Sequence, residues 1–229
     1  LIKRTLSSIE NFHYINELYI LNNSASIKNI QEIINEEKFV YIPKKEIKCP
    51  SNYIEEINNC FSKSDSFYSM VINAGDYLDD AVFSKLISTY IKDNSVKIIY
   101  TNSIFNNKSN SFLSYYPADE LDKFFEPNTY LKPIINSSVL FKTDIFQEFG
   151  FFDINLKYHF VFEYLNRFLK YSRKYSYPNK YIIFENCFLS KIQLNSFSEI
   201  DGLNDYKKAI EFLDLHNGIN NANTQYIEK

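Results

Sequence analysis

The chain has 229 residues, which suits one domain with or without an appendage, and 45% of them are hydrophobic, so length and content allow a sizeable core. The net charge of −3 comes from acidic and basic residues mixed along the chain, which excludes the basic face that non-specific nucleic-acid binding needs. Three cysteines, Cys49, Cys60 and Cys187, show no CxxC spacing and argue for a reducing compartment over a disulfide framework. No apolar run approaches the roughly 20 residues of a membrane span, and the start carries no signal-peptide pattern, so no transmembrane segment is expected.

Residues 1–11 predict an amphipathic helix, with Ile2, Leu6 and Ile9 near helical spacing. Residues 17–21 predict a buried strand that ends in a polar turn beginning at Asn22. A helix over 27–36 follows, carried by Ile27, Ile30, Ile33 and Ile34, then a short strand over 38–42. Ser51 is the expected N-cap of a helix over 52–62, with Tyr53, Ile57 and Phe61 on one stripe. Residues 66–73 form the next expected strand, residues 79–91 a helix and residues 96–100 a strand. Helices and strands alternate to this point, which implies a mostly parallel central sheet flanked by helices.

The pattern changes after Asn102. Residues 106–110 are a polar turn, and residues 115–133 are aromatic and proline-bearing with no clear period. Residues 134–141 predict a strand. Thr143 is the expected cap of a short helix that Gly150 ends, a helix over 160–171 follows Phe151-Phe152-Asp153, and residues 181–189 predict a strand. Residues 205–215 form an amphipathic helix, and the Asn-rich residues 217–229 a flexible tail. With no internal repeat and no low-complexity linker, residues 1–216 are expected to form one domain.

The run Val71-Ile72-Asn73-Ala74-Gly75-Asp76-Tyr77-Leu78 carries most information about chemistry. A β-branched segment stops in a small, acid-bearing turn, and a helix starts at once. Open α/β sheets bind ligands at the carboxyl ends of their strands, and a carboxylate there can hold a divalent metal and, through it, a phosphate. Asp76 is the candidate for that role, while Asp79 and Asp80 are better placed to cap the helix. The chain has no GxGxxG, Walker or G-x-S-x-G pattern, so dinucleotide, P-loop and serine-hydrolase chemistry lack their characteristic residues.

Residues 73–78 resemble the DxD-type motif of the family-2 glycosyltransferases of the GT-A fold. Ser138-Val139-Leu140-Phe141-Lys142, followed by Phe146 to Asp153, resembles that family's acceptor-side strand, helix and "G-x-F-D" turn. Val161-Phe162-Glu163-Tyr164-Leu165-Asn166-Arg167 falls where the family has "D-x-E-x-x-x-R", and residues 3–9 resemble its first helix. Each motif is weak alone, but their order and spacing run from Leu1 to about Ser198.

The resemblance implies a role for each matching residue. Asp76 would hold Mn or Mg against the donor diphosphate. Asn22 stands where a base-binding Asp is usual, and an Asn amide can still donate to and accept from a uracil edge. Asn73 stands where the motif's first acid often sits. Val161 occupies the position of the usual catalytic base and cannot take a proton. Glu163 matches the second acid of that motif, but two helical positions turn a side chain by roughly 200°, so it does not simply replace the base. Glu163 is also spaced for an i,i+4 pair with Arg167. His159 is a second candidate base or ligand, and Asp153 a candidate on the acceptor side. The late His of the family is absent from residues 191–198. The family also begins with a strand that would lie ahead of Leu1.

The expected function is therefore metal-assisted transfer of a sugar from a nucleotide sugar, with a UDP-sugar as first choice. The expected acceptor is a bacterial surface glycan or a lipid-linked glycan, and the expected setting is the cytoplasm, at the inner face of the membrane. The alternative is a non-catalytic GT-A-like module that binds glycan, nucleotide or a partner domain within a larger synthesis protein.

Overall fold

The computed structural model describes residues 2–10, 12–22, 44–48, 52–106, 111–114, 136–157, 159–174 and 182–193. In chain order the elements are α1 (Ile2–Ile9), β1 (Leu18–Asn22), β2 (Lys44–Lys48), α2 (Tyr53–Lys63), β3 (Tyr68–Ser69), β4 (Tyr77–Leu78) and α3 (Asp80–Tyr90). They continue with β5 (Ile98–Asn106), β6 (Ser111–Ser114), a 3-10 turn (Asn136–Ser138), β7 (Val139–Lys142), α4 (Ile145–Phe149), α5 (Phe160–Lys174) and β8 (Ile182–Gln193). The helices expected over 27–36 and 205–215, the strand over 38–42 and the tail over 217–229 lie outside the described residues.

The α/β class is the expected one, and the strand directions are more mixed than alternation alone implies. β1 pairs with β2 in parallel as a two-stranded sheet. A second sheet has the order β3-β7-β5-β8-β4, with β6 against β5. Among the described residues only β5 and β8 run parallel there; the other pairings are antiparallel. The physical reason lies after β5: β6 follows with only residues 107–110 between, too few for the crossover a parallel pair needs, and β7 also pairs antiparallel with β5. The expected strand over 66–73 narrows to Tyr68–Ser69 because residues 70–76 leave the ladder, carrying the chain from edge strand β3 to the opposite edge strand β4.

Both faces of the larger sheet are covered, as strict side-chain alternation requires. Ile98 and Tyr100 of β5, with Val139 and Phe141 of β7, point into one core with Ile54 and Ile57 of α2, Phe146 of α4 and Val161, Phe162, Tyr164, Leu165, Phe168 and Leu169 of α5. Ile99 and Leu140, one residue out of phase, point into the other core with Leu6 and Ile9 of α1 and Phe83, Leu86 and Ile87 of α3. The first core is an aromatic cluster. Phe141, Phe146, Phe152 and Tyr164 pack mutually with ring centroids 5.2–5.6 Å apart.

Candidate functional site

The acidic turn is closed by backbone and then gripped from two other elements. Asp76 N–H donates to the Asn73 carbonyl at 3.0 Å, and Gly75 sits at φ 110°, a backbone region that a side chain would strain. From α1, the Thr5 hydroxyl accepts from Gly75 N–H at 2.8 Å and donates to the Asp76 carbonyl at 2.7 Å. One helical turn on, Ser8 Oγ accepts from Leu78 N–H at 3.2 Å and donates to the Thr5 carbonyl at 2.7 Å. From the 3-10 turn, Ser137 Oγ donates to Asp76 Oδ2 at 2.5 Å and accepts from Asn73 N–H at 3.4 Å. Helix α3 is capped separately, with Asp79 Oδ1 accepting from Val82 N–H at 3.1 Å. The capping acid and the candidate ligand acid are thus different residues, in line with their spacing.

The floor beside this turn is polar and buried. Thr101, Asn102, Ser103, Ser137 and Ser138 are all 0% exposed. The β5–β8 register shifts at Thr101/Asn102 and at Asn102/Ser103, a bulge of the kind that re-aims side chains near binding sites. Thr101 Oγ1 donates to the Asn102 carbonyl at 3.2 Å and faces the Ser138 carbonyl at 3.4 Å, while Ser103 Oγ and Ser190 Oγ lie 3.1 Å apart. The groups serve one another, so the polar floor carries little desolvation penalty.

Asp76 is 3% exposed, whereas Asn73 and Ala74 of the same turn are exposed. Among the described residues no three His, Cys, Asp or Glu side chains cluster with metal-ligand spacing. One carboxylate with a neighbouring hydroxyl does not make a protein-only cage. It does fit the mode in which Mg or Mn is held by one carboxylate, with the rest of the shell supplied by diphosphate oxygens and water.

A cavity of about 540 Å³ opens between β1 and residues 66–74. Thr5, Tyr19, Leu21, Ile57, Val71 and Asn73 line it, so it is apolar for most of its length and polar where it reaches the acidic turn. Asn22 ends β1 opposite Lys48, is 7% exposed, and does not line this cavity. The structure thus brings Asn73 and Asp76 together with three hydroxyls and leaves Asn22 on the smaller sheet.

The acceptor-side candidates sit on the layer that covers the other face of the sheet. Asp153 Oδ1 accepts from the backbone N–H and side-chain amide of Asn155 at 2.9 and 2.8 Å, closing its turn. That turn is pinned to α2: Asn58 pairs with both the N–H and the carbonyl of Phe152 at 3.1 and 2.9 Å, and Asn52 reaches the Ile154 carbonyl at 2.8 Å. The His159 carbonyl accepts from Glu163 N–H at 2.9 Å and opens α5. Val161 is fully buried in the aromatic core. Glu163 is also 0% exposed, and Arg167 Nε lies 2.8 Å from its Oε1. The i,i+4 pair forms, and the structure buries its carboxylate.

Pattern reading missed Thr5, Ser8 and Ser137. The signal was available for two of them, because Thr5 and Ser8 interrupt the apolar stripe of α1 beside Leu6 and Ile9, where a polar group must find a partner. Nothing local marks Ser137.

No family model and no curated protein matches the sequence. Solved structures do match. S. aureus TarS 1–349 superimposes with a TM-score of 0.61 at 10% identity, covering 91% of this chain and 60% of that one. The same TarS fragment in complex with UDP gives a TM-score of 0.60. The mannosyltransferase PcManGT from Pyrobaculum calidifontis, in complex with GDP-Man and Mn2+, gives 0.64 at 9% identity, covering 99% of this chain and 63% of that one. The chain thus spans about 60% of the length of the glycosyltransferase structures it matches. At such identities the likeness is one of fold, and the fold is the GT-A-type glycosyltransferase fold.

Proposed function

We propose that this chain is the donor-binding part of a glycosyltransferase that moves a sugar from a nucleoside diphosphate sugar onto a glycan or lipid-linked glycan. The observation that carries the reading is the Asn73–Asp76 turn, held from α1 and from the 3-10 turn at the end of a GT-A-type sheet. Fixed geometry of this kind is what a group facing a diphosphate needs. A bound divalent cation would offset charge on the departing diphosphate. Asp76 would hold that cation, Asn73 would face the donor from the exposed part of the turn, and Asn22 would face the base. A UDP-sugar is the first choice of donor and a bacterial surface glycan the first choice of acceptor. The reaction would run at the cytoplasmic face of a membrane; among the described residues no helix is long and apolar enough to cross one.

In the transfer, the acceptor hydroxyl gives up its proton to a base, its oxygen bonds to the anomeric carbon, and the nucleoside diphosphate leaves with the bonding electrons. His159 and Glu163 are the candidate bases, and Asp153 the candidate acceptor contact. Glu163 would have to release Arg167 to take a proton, which favours His159 at the partly exposed start of α5.

The strand expected ahead of Leu1 belongs to the same proposal. The cavity between β1 and residues 66–74 supports it, since among the described residues both bordering segments are sheet edges, and strands sit about 4.8 Å apart. α1, which lines the cavity, would join that strand to β1 as a crossover helix.

Isothermal titration of the natural full-length protein with UDP, GDP and their sugars, with and without Mn, tests the reading. No binding by that protein would sink it. The second reading, a non-catalytic GT-A-like module, is favoured by Val161 in the core at the usual base position and by the buried Glu163–Arg167 pair. Tight nucleotide-sugar binding without transfer or hydrolysis would support it.

A further inference from the structure

We propose that Ser137 is the positioning residue for Asp76: its hydroxyl fixes the direction of the carboxylate and so sets the affinity of the site for a diphosphate-bound divalent cation. The inference rests on the metal-assisted reading above and adds a residue that no motif marks.

The argument starts from freedom. An aspartate on a surface turn has two side-chain torsions to settle, and a ligand that must freeze them binds more weakly. Asp76 Oδ2 instead accepts a short, charge-assisted hydrogen bond from Ser137 Oγ at 2.5 Å. The same oxygen, Ser137 Oγ, receives Asn73 N–H at 3.4 Å, so one hydroxyl references both ends of the acidic turn.

Ser137 is itself enclosed by the fold. It is 0% exposed, and it belongs to the 3-10 turn that leads directly into β7, a central strand of the sheet. The carbonyl of its neighbour Ser138 faces Thr101 Oγ1 at the β5 bulge. The carboxylate is therefore indexed to the middle of the sheet, across 61 positions of sequence, and not only to its own turn. Thr5 holds the turn's backbone from α1 but does not touch the carboxylate in the hydrogen bonds at Gly75 and Asp76. The division of labour is specific: Thr5 shapes the turn, and Ser137 aims the acid. Groups that orient a metal's ligand are worth about 10- to 100-fold in metal affinity.

The test measures Mn2+ affinity of the natural full-length protein, by electron paramagnetic resonance of free Mn2+ at saturating UDP and, in parallel, GDP. The variants are Asp76→Ala, Ser137→Ala and Ser137→Cys, the last nearly isosteric with a weaker donor. The expected result is loss of Mn2+ binding in Asp76→Ala, a weakening of about 10- to 100-fold in Ser137→Ala, and an intermediate value for Ser137→Cys. UDP affinity in metal-free buffer should stay at the wild-type value in both Ser137 variants, which a merely structural defect would not allow. Wild-type Mn2+ affinity in Ser137→Ala, with binding lost in Asp76→Ala, overturns the proposal and leaves the metal reading standing. No Mn2+ binding by the wild-type protein with either nucleotide removes the metal reading, and this proposal with it. If Ser137→Ala does not fold, wild-type Mn2+ affinity in Ser137→Cys overturns the proposal in its place.

Discussion

Arg167 closes over Glu163. Its Nε lies 2.8 Å from Glu163 Oε1 and its Nη2 3.4 Å from Oε2, while the carboxylate is 0% exposed. The same guanidinium donates to the carbonyls of Phe149 at 3.3 Å and Phe151 at 2.7 Å. The pair therefore ties α5 to the turn that ends α4. Its worth lies in what happens when one partner is lost.

Arg167→Ala should take the guanidinium's charge away from a buried carboxylate and its hydrogen bonds away from two carbonyls. Breaking a buried pair in this way costs about 3–5 kcal/mol. Glu163→Gln should cost less, because the amide oxygen still accepts from Arg167. Urea denaturation of the two variants checks this. A loss below about 1 kcal/mol in Arg167→Ala would mean that the pair behaves like an exposed one. The same Glu163→Gln protein bears on catalysis, since full turnover would remove Glu163 as a base.

Gly150→Ala isolates backbone strain from packing. Gly150 ends α4 at φ 85°, ψ 178°, a region open almost only to glycine. Among the described residues an added Cβ would meet only Arg167 Nη1 at 3.8 Å, an ordinary van der Waals contact. Space is not the obstacle, so the expected loss is the conformational one, on the order of 1–3 kcal/mol. Thermal unfolding reads it, and a variant as stable as wild type would contradict the backbone geometry at this turn.

Thr5 tests the grip of α1 on the acidic turn. Thr5→Val keeps the shape and removes the hydroxyl that pairs with Gly75 N–H and the Asp76 carbonyl. Both backbone groups lie at buried residues, and leaving a buried polar group unpaired costs about 1–3 kcal/mol. Thr5→Ser restores the hydroxyl and should recover most of the loss. Hydrogen exchange at the Gly75 amide should speed up in Thr5→Val and return toward the wild-type rate in Thr5→Ser. Equal exchange in all three proteins would show that the hydroxyl is not what protects that amide.

Local pattern was enough for features that depend on local physics. Apolar stripes located α1, α2, α3 and α5 to within a few residues, and the break after Ile72 located the acidic turn. Caps were legible in kind more than in position: Asn52, not Ser51, accepts from Ile54 and Glu55 N–H, and Thr143 bonds Ser69 Oγ at 2.8 Å instead of capping α4. Long-range pairing left no trace in the pattern. β2 at Lys44–Lys48 is made of charged residues around one isoleucine and forms by pairing with β1. Thr5 and Asp76 meet across 71 positions, and Asn58 and Phe152 across 94. The Glu163–Arg167 spacing was visible, but only tertiary packing decides that the carboxylate is buried.

Alkaline pH should unfold the protein in a window set by buried phenols and one lysine. Burial pushes the Tyr68 hydroxyl up to about 12, helped by the negative charges of Asp93 and Asp144. Tyr100 and Tyr164 are raised further, chiefly by burial. Burial alone would lower the Lys97 ammonium, but hydrogen bonds to Asp144 and Glu148 outweigh it and hold it above its ordinary value. In every case the fold favours the protonated form. The resulting stability is fully present below the unfolded-chain value, near 10 for tyrosine, and is lost as pH rises through the folded value. Urea midpoints should therefore hold steady up to about pH 10 and fall between roughly pH 10 and 12. Tyr68→Phe removes one of these groups, along with its hydrogen bond to the Tyr90 carbonyl at 3.1 Å. It should start from a lower midpoint at pH 8 and fall less steeply. A tyrosinate absorbance that rises fully near pH 10 while the protein stays folded would show that these phenols are solvated and would remove the basis of the window.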